Sequence, residues 1–125
     1  MIFTSYFALT KKLVEAGYEP ISISRFPPKF FEGKKALGLA PSEHILKRYK
    51  DGDINEEQYT KEYIEYLESR KDKIVNYLRA LFLDERNIVF LCYEKSGVFC
   101  HRRILADWFK KNTGLEIPEI DKNTL

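Results

Sequence analysis

Cys92-Tyr93-Glu94 and Cys100-His101-Arg102-Arg103 stand a few residues apart near the end of the chain. Both cysteines and one of the two histidines lie in this short window. Thiolates are nucleophiles and metal ligands, imidazole moves protons or binds metals, and guanidinium holds anions. A helix is expected to open at Cys100 and to run to about Asn112, with Gly114 as its stop. The first N–H groups of a helix are unpaired and carry partial positive charge, which favours an anion or a thiolate there. Cys100 is therefore expected to be the reactive thiol. Cys92, at the end of an apolar run, is expected to be an inert core residue. Helical spacing places His101 on one stripe with Ile104, Leu105 and Trp108, aimed inward, where Glu94 would orient or charge it. Arg102 is expected to hold an anion. It cannot share a helix face with Arg103, so one of the two is expected to be exposed.

The elements that must position these groups read as alternating strands and helices. Ile2 to Tyr6 reads as a strand, Phe7 to Ala16 as a helix capped by Gly17, and Pro20 to Ser24 as a second strand. A strand, a helix and a strand in that order suggest a parallel βαβ unit. Arg25 to Pro41 carries Pro27-Pro28 and two glycines and reads as a long irregular loop pinned by its aromatic residues. Ser42 caps a helix to about Tyr49, and Asp53 with Glu56 forms a capping box for the next. That helix breaks near Ser69 to Asp72, and Ile74, Val75, Leu78, Leu81 and Phe82 continue at helical spacing. Asn87 to Cys92 is a near-continuous apolar run, the mark of a strand covered on both faces. Leu115 to Ile120 reads as an edge strand, because Pro118 cannot donate in a central one. The fold class is thus α/β: residues 1–125 as a single domain with a small, mainly parallel sheet flanked by helices.

In such sheets ligands bind outside the carboxyl ends of the strands. Ser5 and Tyr6, then Ser24 and Arg25, then Cys92 and Glu94 end the three strands. With the start of the Cys100 helix they converge on one edge. Plainer readings stand beside these. Cys100 is a small residue at a helix start, His101 bonds a loop carbonyl, Glu94 is solvated, and Arg25 braces the long loop through its carbonyls. His44 reads as a surface residue, Tyr59 to Tyr66 as packing, and Lys34-Lys35 as a solvated pair.

Composition narrows the classes. The chain has 125 residues, is 44% hydrophobic, and holds nine Phe and eight Tyr, which excludes a disordered chain. A net charge of +2 does not by itself make a nucleic-acid field. No apolar stretch reaches transmembrane length, and the N-terminus has no secretory pattern. Two cysteines make no disulfide framework, so a cytoplasmic protein with reduced thiols is expected.

The Cys92-Tyr93-Glu94 and Cys100-His101-Arg102 pair resembles the DUF488 family. Phe3-Thr4-Ser5-Tyr6, Ile21 to Pro27 and Leu39-Ala40-Pro41-Ser42 are similar to its short subgroup, so the resemblance spans nearly the whole chain. Many members carry Asp-Val-Arg after the second strand; here Ile23-Ser24-Arg25 matches the arginine and not the acid. The resemblance implies an α/β domain with the motif at one site and names no reaction.

Two functional readings follow. In the first, Arg25, Arg102, Ser24, Tyr6 and Ser5 hold an anionic, phosphate- or nucleotide-like ligand. Cys100 or Cys92 supplies a thiolate, and His101 with Glu94 an acid/base pair. In the second, Cys92, Cys100 and His101 ligate a structural metal or pack in the core of a binding module. The sequence shows no phosphatase loop and no Walker glycine loop, and it names no cofactor. Nucleic acid is a weaker partner, because no recognised motif is present.

Overall fold

The most apolar strand takes the centre of the sheet. The computed structural model describes Met1–Leu125. It contains β1 (Ile2–Tyr6), α1 (Thr10–Glu15), β2 (Tyr18–Ser22), β3 (Lys34–Lys35), α2 (Glu43–Lys50), α3 (Glu56–Ser69), α4 (Lys71–Phe82), β4 (Asn87–Cys92) and α5 (His101–Thr113). The four strands are parallel and ordered β1-β4-β2-β3. β1 and β2 belong to one βαβ unit but are not neighbours, because β4 lies between them. The cause is burial: Ile88 through Cys92 have no solvent exposure, and only the central position covers both faces of such a run.

Alternation along β4 divides the core. Ile88 and Phe90 join Ile21, Ile23 and the inward faces of α3, α4 and α5. Val89 and Leu91 face the other way, against Phe7, Leu13 and Phe31. Helical spacing sets the partners: Tyr59, Tyr63 and Leu67 are buried from α3, and Ile74 and Leu78 from α4. Each apolar side chain taken from water contributes roughly 1.5–3 kcal/mol, so these two clusters dominate the stability of the fold.

Several expected boundaries shift for local reasons. The first helix is split into a 3-10 turn at Phe7–Leu9 followed by α1. The long loop contains β3 and a second 3-10 turn at Leu37–Leu39. It is pinned by Phe31, whose ring meets Phe7 edge-on at 5.3 Å, whereas Phe26 and Phe30 are exposed. The expected edge strand at the C-terminus is a single parallel bridge, Thr4 to Glu119. There the Thr4 N–H donates to Pro118 O and the Ile120 N–H to Thr4 O, a pattern that uses Pro118 only as acceptor. Ser42 caps α2 as expected, its hydroxyl accepting from the Ile45 N–H at 3.2 Å. α3 is capped by Asn55, and Asp53 lies outside it. No helix is long and apolar enough to cross a membrane.

The Asn55 side-chain oxygen accepts from the Gln58 N–H at 2.9 Å. Asn55→Ala should therefore cost about 1 kcal/mol of unfolding free energy, and Asp53→Ala should stay within about 0.5 kcal/mol of wild type. Urea unfolding of both variants checks this. The reverse ranking would restore Asp53 as the cap.

Candidate functional site

Because the strands are parallel and in register, their carboxyl ends meet on one edge. Tyr6 lies opposite Cys92, and Leu91 opposite Ser22. α5 starts at the same edge, with extended Cys100 as its N-cap residue. A cleft of about 220 Å³ opens there. Its reactive lining is Ser24, Arg25, Cys92, Glu94, Cys100 and His101. Six of the nine residues expected at the site thus share one cavity. Tyr6, Ser5 and Arg102 lie behind it. The Ser5 hydroxyl donates to Ile120 O at 2.6 Å and so ties down the C-terminal segment. The Tyr6 ring faces the Arg102 guanidinium at 5.9 Å.

The sulfurs of Cys92 and Cys100 are joined as a disulfide, which corrects the expectation of two reduced, separate thiols. The Cα atoms of the pair stand 7.3 Å apart. That exceeds the span of about 4.4–6.8 Å that a disulfide usually bridges, so this backbone equally suits an open dithiol. The structure also redistributes the roles of the two sulfurs. The Arg102 Nη1 group donates to Cys92 Sγ at 3.3 Å. Cys92, expected to be inert, therefore has a cation on its sulfur. Cys100 has the neutral ring of His101, with Nδ1 3.9 Å from its Sγ.

His101 is held by the main chain and not by Glu94. Its Nε2 lies 2.6 Å from Ile23 O. A carbonyl only accepts, so Nε2 carries the proton and Nδ1 presents its lone pair to Cys100. Burial lowers the imidazole pKa from 6.5 to about 4; the Ile23 hydrogen bond opposes this and the charge on Arg102 adds to it. His101 is consequently neutral at pH 7. Glu94 is exposed on the rim and makes no hydrogen bond to the ring.

Arg102 does not reach the cleft as an anion holder. It is fully buried, and its Nε donates to Glu119 at 2.8 Å. Burial pushes the Glu119 carboxyl up, but the Arg102 hydrogen bond and charge outweigh this and hold it below the usual range. Arg103 is the exposed member of the pair. Arg25 is the cation that lines the cavity. Its Nε donates to Pro41 O at 2.9 Å, so it braces the long loop while lining the cavity.

An aromatic wall completes the cleft. Tyr49 of α2, Tyr59 of α3 and Phe99 before α5 meet one another at 5.1–5.6 Å. Sequence reasoning assigned Tyr59 to packing and passed over Tyr49 and Phe99. Helical spacing marks a buried face but does not reveal that α2 folds over the strand ends.

The fold is a parallel α/β domain that gathers Cys92, Cys100 and His101 at its strand ends. Residues 13–113 match the family described as DUF488-N3a, the active DUF488-N3 subclade, and the chain belongs to the DUF488 family. No curated protein and no solved structure matches it.

The buried imidazole fixes a pH dependence. The folded value of about 4 lies below the unfolded 6.5, so between these limits the unfolded chain binds the extra proton. The stabilisation is complete above about pH 6.5 and is lost as pH falls toward about 4, by roughly 3 kcal/mol at most. His101→Gln should flatten the stability profile across this window. An unchanged slope in the variant would assign the dependence to other groups.

Proposed function

We propose that the strand-end cleft is a thiolate site that binds a small anionic ligand, phosphate- or nucleotide-like, and acts on it through Cys92. The observation that carries this reading is the Arg102 N–H at 3.3 Å from Cys92 Sγ, behind the floor of a cavity that Arg25 lines. Arg102 favours the charged sulfur, and the nearby start of α5 adds its partial positive charge. The outer amino groups of Arg25 pair with the anionic part of the ligand. The wall of Tyr49, Tyr59 and Phe99 receives its apolar or aromatic body. Once a thiol reductant has opened the Cys92–Cys100 bond, the Cys92 thiolate attacks an electrophilic centre of the ligand, its electron pair forming the new bond while a leaving group departs with the old one. Cys100, its sulfur facing the lone pair of His101 Nδ1, then attacks the same electrophilic centre and releases Cys92 as the thiolate, the Cys100 proton passing to solvent.

Iodoacetamide labelling of the reduced protein at pH 7, read by mass spectrometry, tests this reading. Cys92 should be alkylated faster than Cys100. Inorganic phosphate should slow the reaction in wild type and fail to do so in Arg25→Ala. Equal slow labelling of both thiols, or protection that persists in Arg25→Ala, contradicts it.

One observation favours a second reading, a metal centre. The ligand atoms of Cys92, Cys100 and His101 lie within 4.8 Å of one another. Zinc accepts two thiolates and an imidazole. An imidazole that donates its second nitrogen to a carbonyl, as His101 does to Ile23, is arranged as metal-bound histidines are. Protein purified under reducing conditions without added metal should, on this reading, carry about one zinc per chain that is lost in Cys100→Ser. A metal-free, fully folded sample removes it.

A further inference from the structure

We propose a second binding site, for a phosphorylated ligand with a flat aromatic ring and mononucleotide size, in the groove between α4 and the β3 edge of the sheet. It shares no lining residue with the strand-end cleft.

The groove has a volume of about 400 Å³, larger than the first. One wall is a single face of α4 and the residue that opens it: Arg70, Lys73, Ile74 and Tyr77 recur at the three- and four-residue spacing that aligns side chains on a helix. The opposite wall is the segment from Lys35 to Leu39. Ile74 and Leu39, both nearly fully buried, form an apolar floor. Tyr66 and Tyr77 supply aromatic sides, and Tyr77 is 40% exposed. The Arg70 guanidinium lies 4.9 Å from the centre of the Tyr66 ring, so a second planar group can stack on its outer side.

Charge selects the rest of the ligand. Lys35, Arg70 and Lys73 line the groove, and no carboxylate does. None of the three has an acidic partner within ion-pair distance, although Lys34, Arg48, Arg86, Arg102 and Lys110 all do. Three unpaired cations around an aromatic, apolar-floored groove match a ligand with a charged phosphate at one end and a ring at the other. The Tyr66 hydroxyl donates to Gly38 O at 2.6 Å and holds the wall in place before a ligand arrives.

Calorimetric titration of the reduced full-length protein with AMP, adenosine and inorganic phosphate tests the site. AMP should bind at least about tenfold more tightly than either fragment. Lys35→Glu with Lys73→Glu, and separately Tyr77→Ala, should each weaken AMP by about tenfold or more while leaving the melting temperature and Cys92 labelling unchanged. In Arg25→Ala, which weakens anion binding in the strand-end cleft, the AMP binding that is lost in the lysine and Tyr77 variants should persist, which separates the two sites. No binding at millimolar AMP, equal affinity for phosphate and AMP, loss of AMP binding in Arg25→Ala alone, or much tighter binding of a single-stranded oligonucleotide would each overturn the proposal.

Discussion

One buried guanidinium sets what the rest of the structure must do. Arg102 has no solvent exposure, and an ion taken from water is tolerated only when paired and hydrogen-bonded. Glu119 supplies the opposite charge, Cys92 Sγ accepts a second N–H, and the Tyr6 ring faces the guanidinium plane. Each partner comes from a different element. Glu119 belongs to the C-terminal segment, which reaches Arg102 because Pro118 and Ile120 bond to Thr4 on the outer edge of β1. Ser5 fixes the same segment through Ile120 O. Cys92 ends the central strand. The first residues of α5, the end of β4 and the chain terminus are thereby held at one point, and that point lies behind the cleft.

The same constraint links stability to chemistry. A cation kept in the core by Glu119 also faces the buried Cys92 sulfur at the floor of the cleft. The His101 ring, buried against Ile23 O, stays neutral and keeps a lone pair toward Cys100. The two sulfurs therefore differ in environment although they touch: one faces a fixed positive charge and the other an uncharged base. On the proposed function, this inequality assigns the first attack to Cys92 and the following one to Cys100. Tyr63 lies between the two cavities, stacked on Tyr66 at 6.5 Å and edge-on to His101 at 5.7 Å, and its hydroxyl donates to Leu39 O. The groove on α4 and the strand-end cleft thus share one packed wall.

Sequence patterns revealed three of the four strands, the parallel sheet and the convergence of reactive residues at its edge, but not β3, whose residues read as loop. Each rests on local periodicity or on where parallel strands must end. The run from Asn87 to Cys92 and the helix closed by Gly114 were legible for that reason. The order of the strands was less so: that β4 separates β1 from β2 follows from comparing how deeply each run must be buried. The role of Arg102 was misread because it depends on Glu119, seventeen residues beyond Arg102 and placed by a single bridge to β1. Nothing in the spacing of a helix start tells which of two adjacent arginines points inward. The aromatic wall was hidden in the same way, since it is assembled from α2, α3 and the loop before α5.

The central claim is that a buried cation holds Cys92 as a thiolate. Its most direct test is a pH titration of the ultraviolet thiolate absorbance in the Cys100→Ser protein, where Cys92 is the sole thiol. The account predicts ionisation well below the value of about 8.5 for an ordinary cysteine. Ionisation at or above that value would show a buried, inert sulfur and contradict it.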